Sequence, residues 1–204
     1  NIREGMTHNI KAGLDVFASE KSTLGFSFTG NLTDGSSLNT STTDILAVSD
    51  DANSALLRAS SSTDFMQENL YVNANYRFED TLRHSLTMDL EYGIFGSDNL
   101  NNQPNTYFDA SGTEVISFTN YQLDTPVNIE LRAAKVDYEQ NAFSGKLGLG
   151  AKFSEVLTDN VFDFFQEESG ELVYKPENSN TFDYTEEVLA AYVNYSYRKN
   201  KWSA

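Results

Sequence analysis

The chain has 204 residues, a formal net charge of −16 and no cysteine. That excludes a disulfide framework and a thiolate metal site. So acidic a chain repels polyanions, and no nucleic-acid partner is expected. Two histidines, His8 and His84, give little from which to build a histidine metal centre. No stretch approaches the ~20 apolar residues of a membrane helix, and the longest notable apolar run is 188–193.

In chain order, the dominant signal is period-two alternation, which specifies strands with one apolar and one polar face. Residues 8–18 place Ile10, Ala12, Leu14 and Val16 on one face, and 22–32 place Leu24, Phe26, Phe28 and Leu32. Residues 66–78 set Leu70, Val72, Ala74, Tyr76 and Phe78 against Asn69, Asn73, Asn75 and Arg77. The alternation is strongest over 82–95, where Leu82, His84, Leu86, Met88, Leu90, Tyr92 and Ile94 share a face. Residues 127–138 change parity, from Val127, Ile129, Leu131 and Ala133 to Ala134, Val136 and Tyr138. A bulge near Ala133-Ala134 would reconcile them. Residues 146–156 carry Leu147, Leu149, Ala151 and Phe153, and 183–197 carry Leu189, Ala191, Val193, Tyr195 and Tyr197. These segments are near the length that crosses a bilayer when tilted.

The connections alternate in length. Short turns fall at 19–21, 79–81, 139–145 and 198–201, and long excursions at about 33–65, 96–126 and 159–182. Short turns at one end and long loops at the other are the pattern of an outer-membrane barrel. An aromatic precedes each short turn (Phe17, Phe78, Tyr138, Tyr197), as a ring at head-group depth requires, although Phe17 has the wrong parity. The excursions hold shorter strand segments: 45–48 and 54–58, 107–109 and 114–119 about Ala110-Ser111-Gly112, and 161–165 and 171–174 about Ser169-Gly170. Pro104, Pro126 and Pro176 all lie in them, where sheet chemistry tolerates proline. The mean hydropathy of −0.46 is compatible with a barrel, because loops and lumen-facing residues are polar. The fold expected is all-β, an antiparallel up-and-down meander of long strands. Residues 1–204 form a single β-barrel segment. Bacterial barrels have an even strand number, so seven strands imply part of a larger barrel, or a sheet completed by strands within the excursions. Open edges would then invite self-association. The alternative is a soluble sandwich or lipocalin-like ligand-binding or adhesion domain, with its apolar face in a core.

Motifs for catalysis are lacking. The run 145–150 (Gly-Lys-Leu-Gly-Leu-Gly) has the wrong spacing for a phosphate loop, and small lumen-facing residues explain it better. Asp50-Asp51, Glu167-Glu168 and Glu186-Glu187 are adjacent acids without a defined separation. No enzyme activity, catalytic residue, cofactor or metal is expected. Residues 155–187 hold ten acids and one base, Lys175. They read as a solvated loop, with Asp159, Asp163, Glu167 and Glu168 the calcium ligands to consider. His84 reads as an interfacial or packed histidine on a strand. Asn69, Asn73, Asn75, Arg77, Arg83, Asp89 and Glu91 read as lumen residues.

Several segments resemble the outer-membrane β-barrel proteins of Bacteroidetes-type bacteria, relatives of TonB-dependent receptors. They are Lys21-Ser22-Thr23-Leu24-Gly25-Phe26, Tyr76-Arg77-Phe78, Thr87-Met88-Asp89-Leu90-Glu91-Tyr92, Ala134-Lys135-Val136-Asp137-Tyr138-Glu139-Gln140, Gly145-Lys146-Leu147, Thr158-Asp159-Asn160, Glu186-Glu187-Val188-Leu189-Ala190-Ala191-Tyr192-Val193-Asn194-Tyr195 and Lys201-Trp202-Ser203. The resemblance implies an outer-membrane location, contact with the lipid bilayer and lipopolysaccharide, and uptake of a small nutrient. It also implies coupling to a TonB-type complex through a plug and N-terminal region not seen in this sequence. None of these segments is a ligand motif, so no site residue is carried over.

Overall fold

A computed structural model describes residues 1–46, 54–199 and 202–203. The strands are β1 (Ile2–Ser19), β2 (Ser22–Ile45), β3 (Ala55–Glu79), β4 (Ser85–Asp109), β5 (Val115–Asp124), β6 (Val127–Ala142), β7 (Gly145–Glu168), β8 (Glu171–Tyr174), β9 (Asn180–Lys199) and β10 (Trp202–Ser203). All pair antiparallel in one curled sheet, with a 3-10 turn at Pro176–Asn178. Among the described residues, β1 pairs with β2 alone, so its other edge is open.

The segments read as long connections are for the most part wall. β3 and β4 each run 25 residues, about 85 Å at ~3.4 Å per residue, far more than a bilayer needs. Of the short strand segments proposed inside the excursions, 54–58, 107–109 and 161–165 belong to the distal ends of β3, β4 and β7, 114–119 falls in β5 and 171–174 is β8, while 47–53 lie outside the described residues. Ala110-Ser111-Gly112 and Ser169-Gly170 are turns as expected.

Two prolines sit within the wall. Pro104 lies inside β4, and the β3–β4 ladder lapses between Ala59↔Asn105 and Ser62↔Asn102, then resumes in the same register. A missing N–H removes a bond without shifting the strand. Pro126 separates β5 from β6, yet Leu100↔Asp124 and Ser97↔Val127 lie in one register. The Thr125 N–H donates to the Asn99 carbonyl and the Val161 N–H to the Pro126 carbonyl, both at 3.0 Å. β5 and β6 therefore act as one strand of the wall, leaving seven long strands across the sheet, with the two-residue β10 paired to β9 at the turn end.

Cross-strand partners share a face. The row Leu14, Phe26, Ala74, Leu90, Ala134, Phe153 and Leu189 is apolar across all seven strands. So is the next, Val16, Leu24, Tyr76, Met88, Val136, Ala151 and Ala191. This apolar face is the outer one. Leu90 is 58% exposed and Val193 72%, and no hydrophobic side chain is buried among the described residues. The four buried residues, Gly25, Gly93, Ser97 and Gly148, all lie on the polar face. Side chains crowd on the concave side of a curled sheet and splay on the convex side, so the polar face is concave. A soluble sandwich or lipocalin would bury its apolar face. This sheet turns it outward.

The belt climbs across the sheet. The row through Gly13 ends at Val188, whereas the β9 belt, from Leu189 to Tyr197, is centred on Val193. That is a drift of about five residues over six strand steps, a strand tilt of ~30–40° if the belt lies level in a bilayer. On β4 the belt runs from Leu86 to Ile94, roughly 27 Å along the strand and ~23 Å across a bilayer at that tilt, against the ~25 Å of outer-membrane barrels.

No bulge reconciles the two parities of β6. Its pairing with β4 and β7 is unbroken from Val127 to Glu139. The strand inverts its polarity instead. Ala134, Val136 and Tyr138 face outward in the belt, while Val127, Ile129 and Leu131 face inward beyond it, with Asn128, Glu130 and Arg132 on the outside. Outside lipid, the hydrophobic effect favours the inner face.

Leu90→Lys, on the belt at mid-height, should cost ~2–4 kcal/mol in vesicle unfolding titrations, as a cation at the bilayer midplane does. Asn73→Lys, one strand away on the concave face, should change stability by less than ~0.5 kcal/mol.

Candidate functional site

The concave wall is the surface able to meet a solute. Asn69, Asn73, Asn75, Arg77, Asp89 and Glu91 all lie on it, in rows with other concave residues. Arg83 does not. It sits in the five-residue turn 80–84 with φ 65°. His84 is in the same turn, one residue before β4, and not on the strand. Its Nδ1 lies 2.9 Å from Asp80 Oδ2, and Asp80 Oδ1 accepts the N–H groups of Leu82 and His84 at 2.9 Å each. Those bonds, the His84 N–H foremost, hold the Asp80 carboxyl below its ordinary value.

The wall has two chemical zones. Toward the short turns it is charged in both signs, with Lys135–Asp137 (2.6 Å), Lys146–Glu139 (2.6 Å) and Arg77–Glu79 (2.9 Å) as ion pairs. Half-exposed pairs of this kind add little stability, but they make the surface wettable. The Tyr192 hydroxyl donates to Asp137 Oδ1. Its ring covers Gly150, its direct cross-strand partner, and a Cβ there would collide with the ring. Gly148 and Gly150 are thus the small concave residues expected of 145–150, while Gly145 lies on the outer face under the Tyr195 ring.

Toward the far end the wall is built of amides, hydroxyls and aromatic rings. Asn31 Nδ2 donates to Asn9 Oδ1 across β1–β2 at 2.6 Å. On β4, Ser97, Asn99, Asn101, Gln103 and Asn105 form a ladder. Asn101 Nδ2 donates to Thr63 Oγ1 at 2.6 Å and Ser61 Oγ at 2.8 Å, and Gln103 Nε2 donates to Asn101 Oδ1 at 2.6 Å. Tyr121 and Phe164 lie 5.4 Å apart, Phe182 and Tyr184 stack at 6.3 Å, and the Arg3 guanidinium sits 5.1 Å from the centre of the Phe65 ring. By composition 96–126 resembles loop, although it contains the ladder. The signal was an amide or hydroxyl at every second position from 97 to 105.

The acidic segment is not assembled for calcium. Asp159, Asp163 and Glu167 project from one face of β7 at four-residue intervals, ~13 Å apart, with Glu168 on the other face. Among the described residues no three acids or histidines converge on a point. Glu167-Glu168 and Glu186-Glu187 likewise alternate faces, and Asp50-Asp51 lies outside the described residues. Lys175 pairs with Glu168, which holds its ammonium above the ordinary value.

A profile of the Outer membrane protein beta-barrel family matches residues 76–204. The chain belongs to that family. No curated protein matches it. Family membership places this outer membrane β-barrel protein in the bacterial outer membrane, with its convex belt against lipid. Short turns of such barrels face the periplasm, so the amide and aromatic zone lies on the outer side.

That outer zone is tied together at the β4–β5 turn. Asp109 accepts the Ser111 hydroxyl at 2.5 Å and the N–H groups of Thr113 (2.9 Å) and Glu114 (3.0 Å), which hold its carboxyl at about 2. A depressed carboxyl stabilises the fold above its unfolded value, and the contribution fades as pH falls from about 4 to about 2. Protection of the amides in the 109–114 turn, taken relative to their intrinsic exchange rates, should fall over that window, and Asp109→Ala should remove that fall.

Proposed function

We propose that this outer membrane β-barrel protein is a TonB-dependent-receptor-like uptake protein, whose concave wall lines the path of a small nutrient. The observation that carries the reading is the continuous polar lining across seven strands, in a sheet whose first and last wall strands do not pair with each other among the described residues. A wall that leaves β1 unpaired after seven crossings suits a wide, occupied lumen better than a small side-chain-filled barrel. The resemblance to TonB-dependent receptors supplies the rest: energy from a TonB-type complex, lipopolysaccharide around the outer rim, and no chemical change to the cargo.

The test is uptake in cells carrying or lacking the protein, with a panel of labelled iron chelates and oligosaccharides, with and without a protonophore. Loss of uptake of one class, both on deletion and on de-energising, is the expected result. Uptake that depends on the protein but is indifferent to the protonophore would make it a passive pore and overturn the coupling.

A further inference from the structure

Gly30 interrupts the lipid-facing belt. In its row the outward residues are Ile10, Gly30, Leu70 and Ile94, so the position between Ile10 and Leu70 carries no side chain. Phe28 and Leu32 close the ends of the gap along β2. The result is a notch of about 420 Å³ in the convex surface. Its far rim is polar, with His8 and Glu68 flanking Leu32 in the next row. Among the described residues, neither makes an ion pair.

The notch lies at the outer margin of the belt, where hydrocarbon gives way to head groups. We propose that it holds one acyl tail of a phospholipid, with the upper methylenes of the tail against Phe28, Leu32, Leu70 and Ile94 and the head group beside His8 and Glu68. Continuity with the bilayer selects this occupant. The walls are part of the face that meets lipid, and the opening is at head-group depth. The chemistry changes from aliphatic to polar along the notch as it does along a lipid. Elsewhere the belt is convex and offers a tail only one side. Here a tail has walls on several sides, and dispersion contacts accumulate with each. Glycine is what keeps the notch open. A Cβ at position 30 would lie 3.0 Å from Ile10 Cγ2 and 3.4 Å from Phe28 Cζ, so any larger residue fills the space or drives those two into it.

The test is native mass spectrometry of the intact outer-membrane protein released from phosphatidylethanolamine vesicles. The wild type should retain one phospholipid at collision energies that strip the rest, and Gly30→Leu should lose it. Leu90→Ala, on the same lipid-facing belt but outside the notch, should keep the lipid, which separates occupancy from general damage to the wall. Equal retention by wild type and Gly30→Leu, or no retained phospholipid on the wild type, would overturn the proposal.

Discussion

Inside a bilayer no water is present to satisfy a backbone N–H or carbonyl, so every strand in the hydrocarbon must be bonded on both sides. The ladder is therefore the constraint from which the rest follows. Pairing fixes which residues share a row, and alternation fixes which face each row presents. The apolar rows then have to coincide with a level slab of lipid. Here they coincide only if the strands lean, because the belt advances by slightly less than one residue at each step. Tilt, curvature and the outward position of Leu14, Leu90 and Leu189 are three expressions of one register. The same logic explains why proline is tolerated at 104 and 126. Both lie beyond the belt, where a lapse in the ladder is exposed to water.

The strands do not end where the lipid ends. β2, β3, β4 and β7 continue for a dozen residues or more beyond the belt, and the hydrophobic effect there acts in the opposite sense. With water outside, β6 turns Val127, Ile129 and Leu131 inward and Glu130 and Arg132 outward, and β9 puts Phe182 and Tyr184 on the concave face. Arg132 bridges Glu130 (2.7 Å) and Glu155 (3.2 Å) on the outer face at this crossing. One uninterrupted strand thus carries two opposite amphipathic patterns, joined at the membrane surface.

That junction explains what could be read from the sequence and what could not. The membrane-crossing part of each strand was legible because lipid imposes a long, regular alternation, and 82–95 shows it at full strength. The parity change at Ala133-Ala134 was visible too, but a bulge was the wrong cause. Period-two patterning records which face avoids water, and that face changes when the medium changes. By composition the distal wall reads as loop, because its residues are Ser, Thr, Asn and Asp, which in a soluble protein mark turns. In this sheet those residues pair in register, and their side chains bond along and across the strands. In the sequence His84 continues the alternation of 86–94 and so reads as a strand residue. The capping carboxylate of Asp80 and the positive φ of Arg83 make the strand begin at Ser85, three residues later than the alternation from 82 suggests.

The concave wall needs a different kind of stabilisation from the convex one. Lipid covers the belt, but nothing comparable presses side chains against the inner face. The wall supplies its own contacts through rings laid over glycines: Tyr192 over Gly150, and Phe65 over Gly35, where a Cβ would lie 2.7 Å from the ring. Each pair joins direct cross-strand neighbours. A glycine weakens a strand by leaving backbone uncovered, and an opposing aromatic restores that cover. A wall that must stay rigid and yet leave room for a solute is well served by such pairs, and they recur in both the charged and the amide zones.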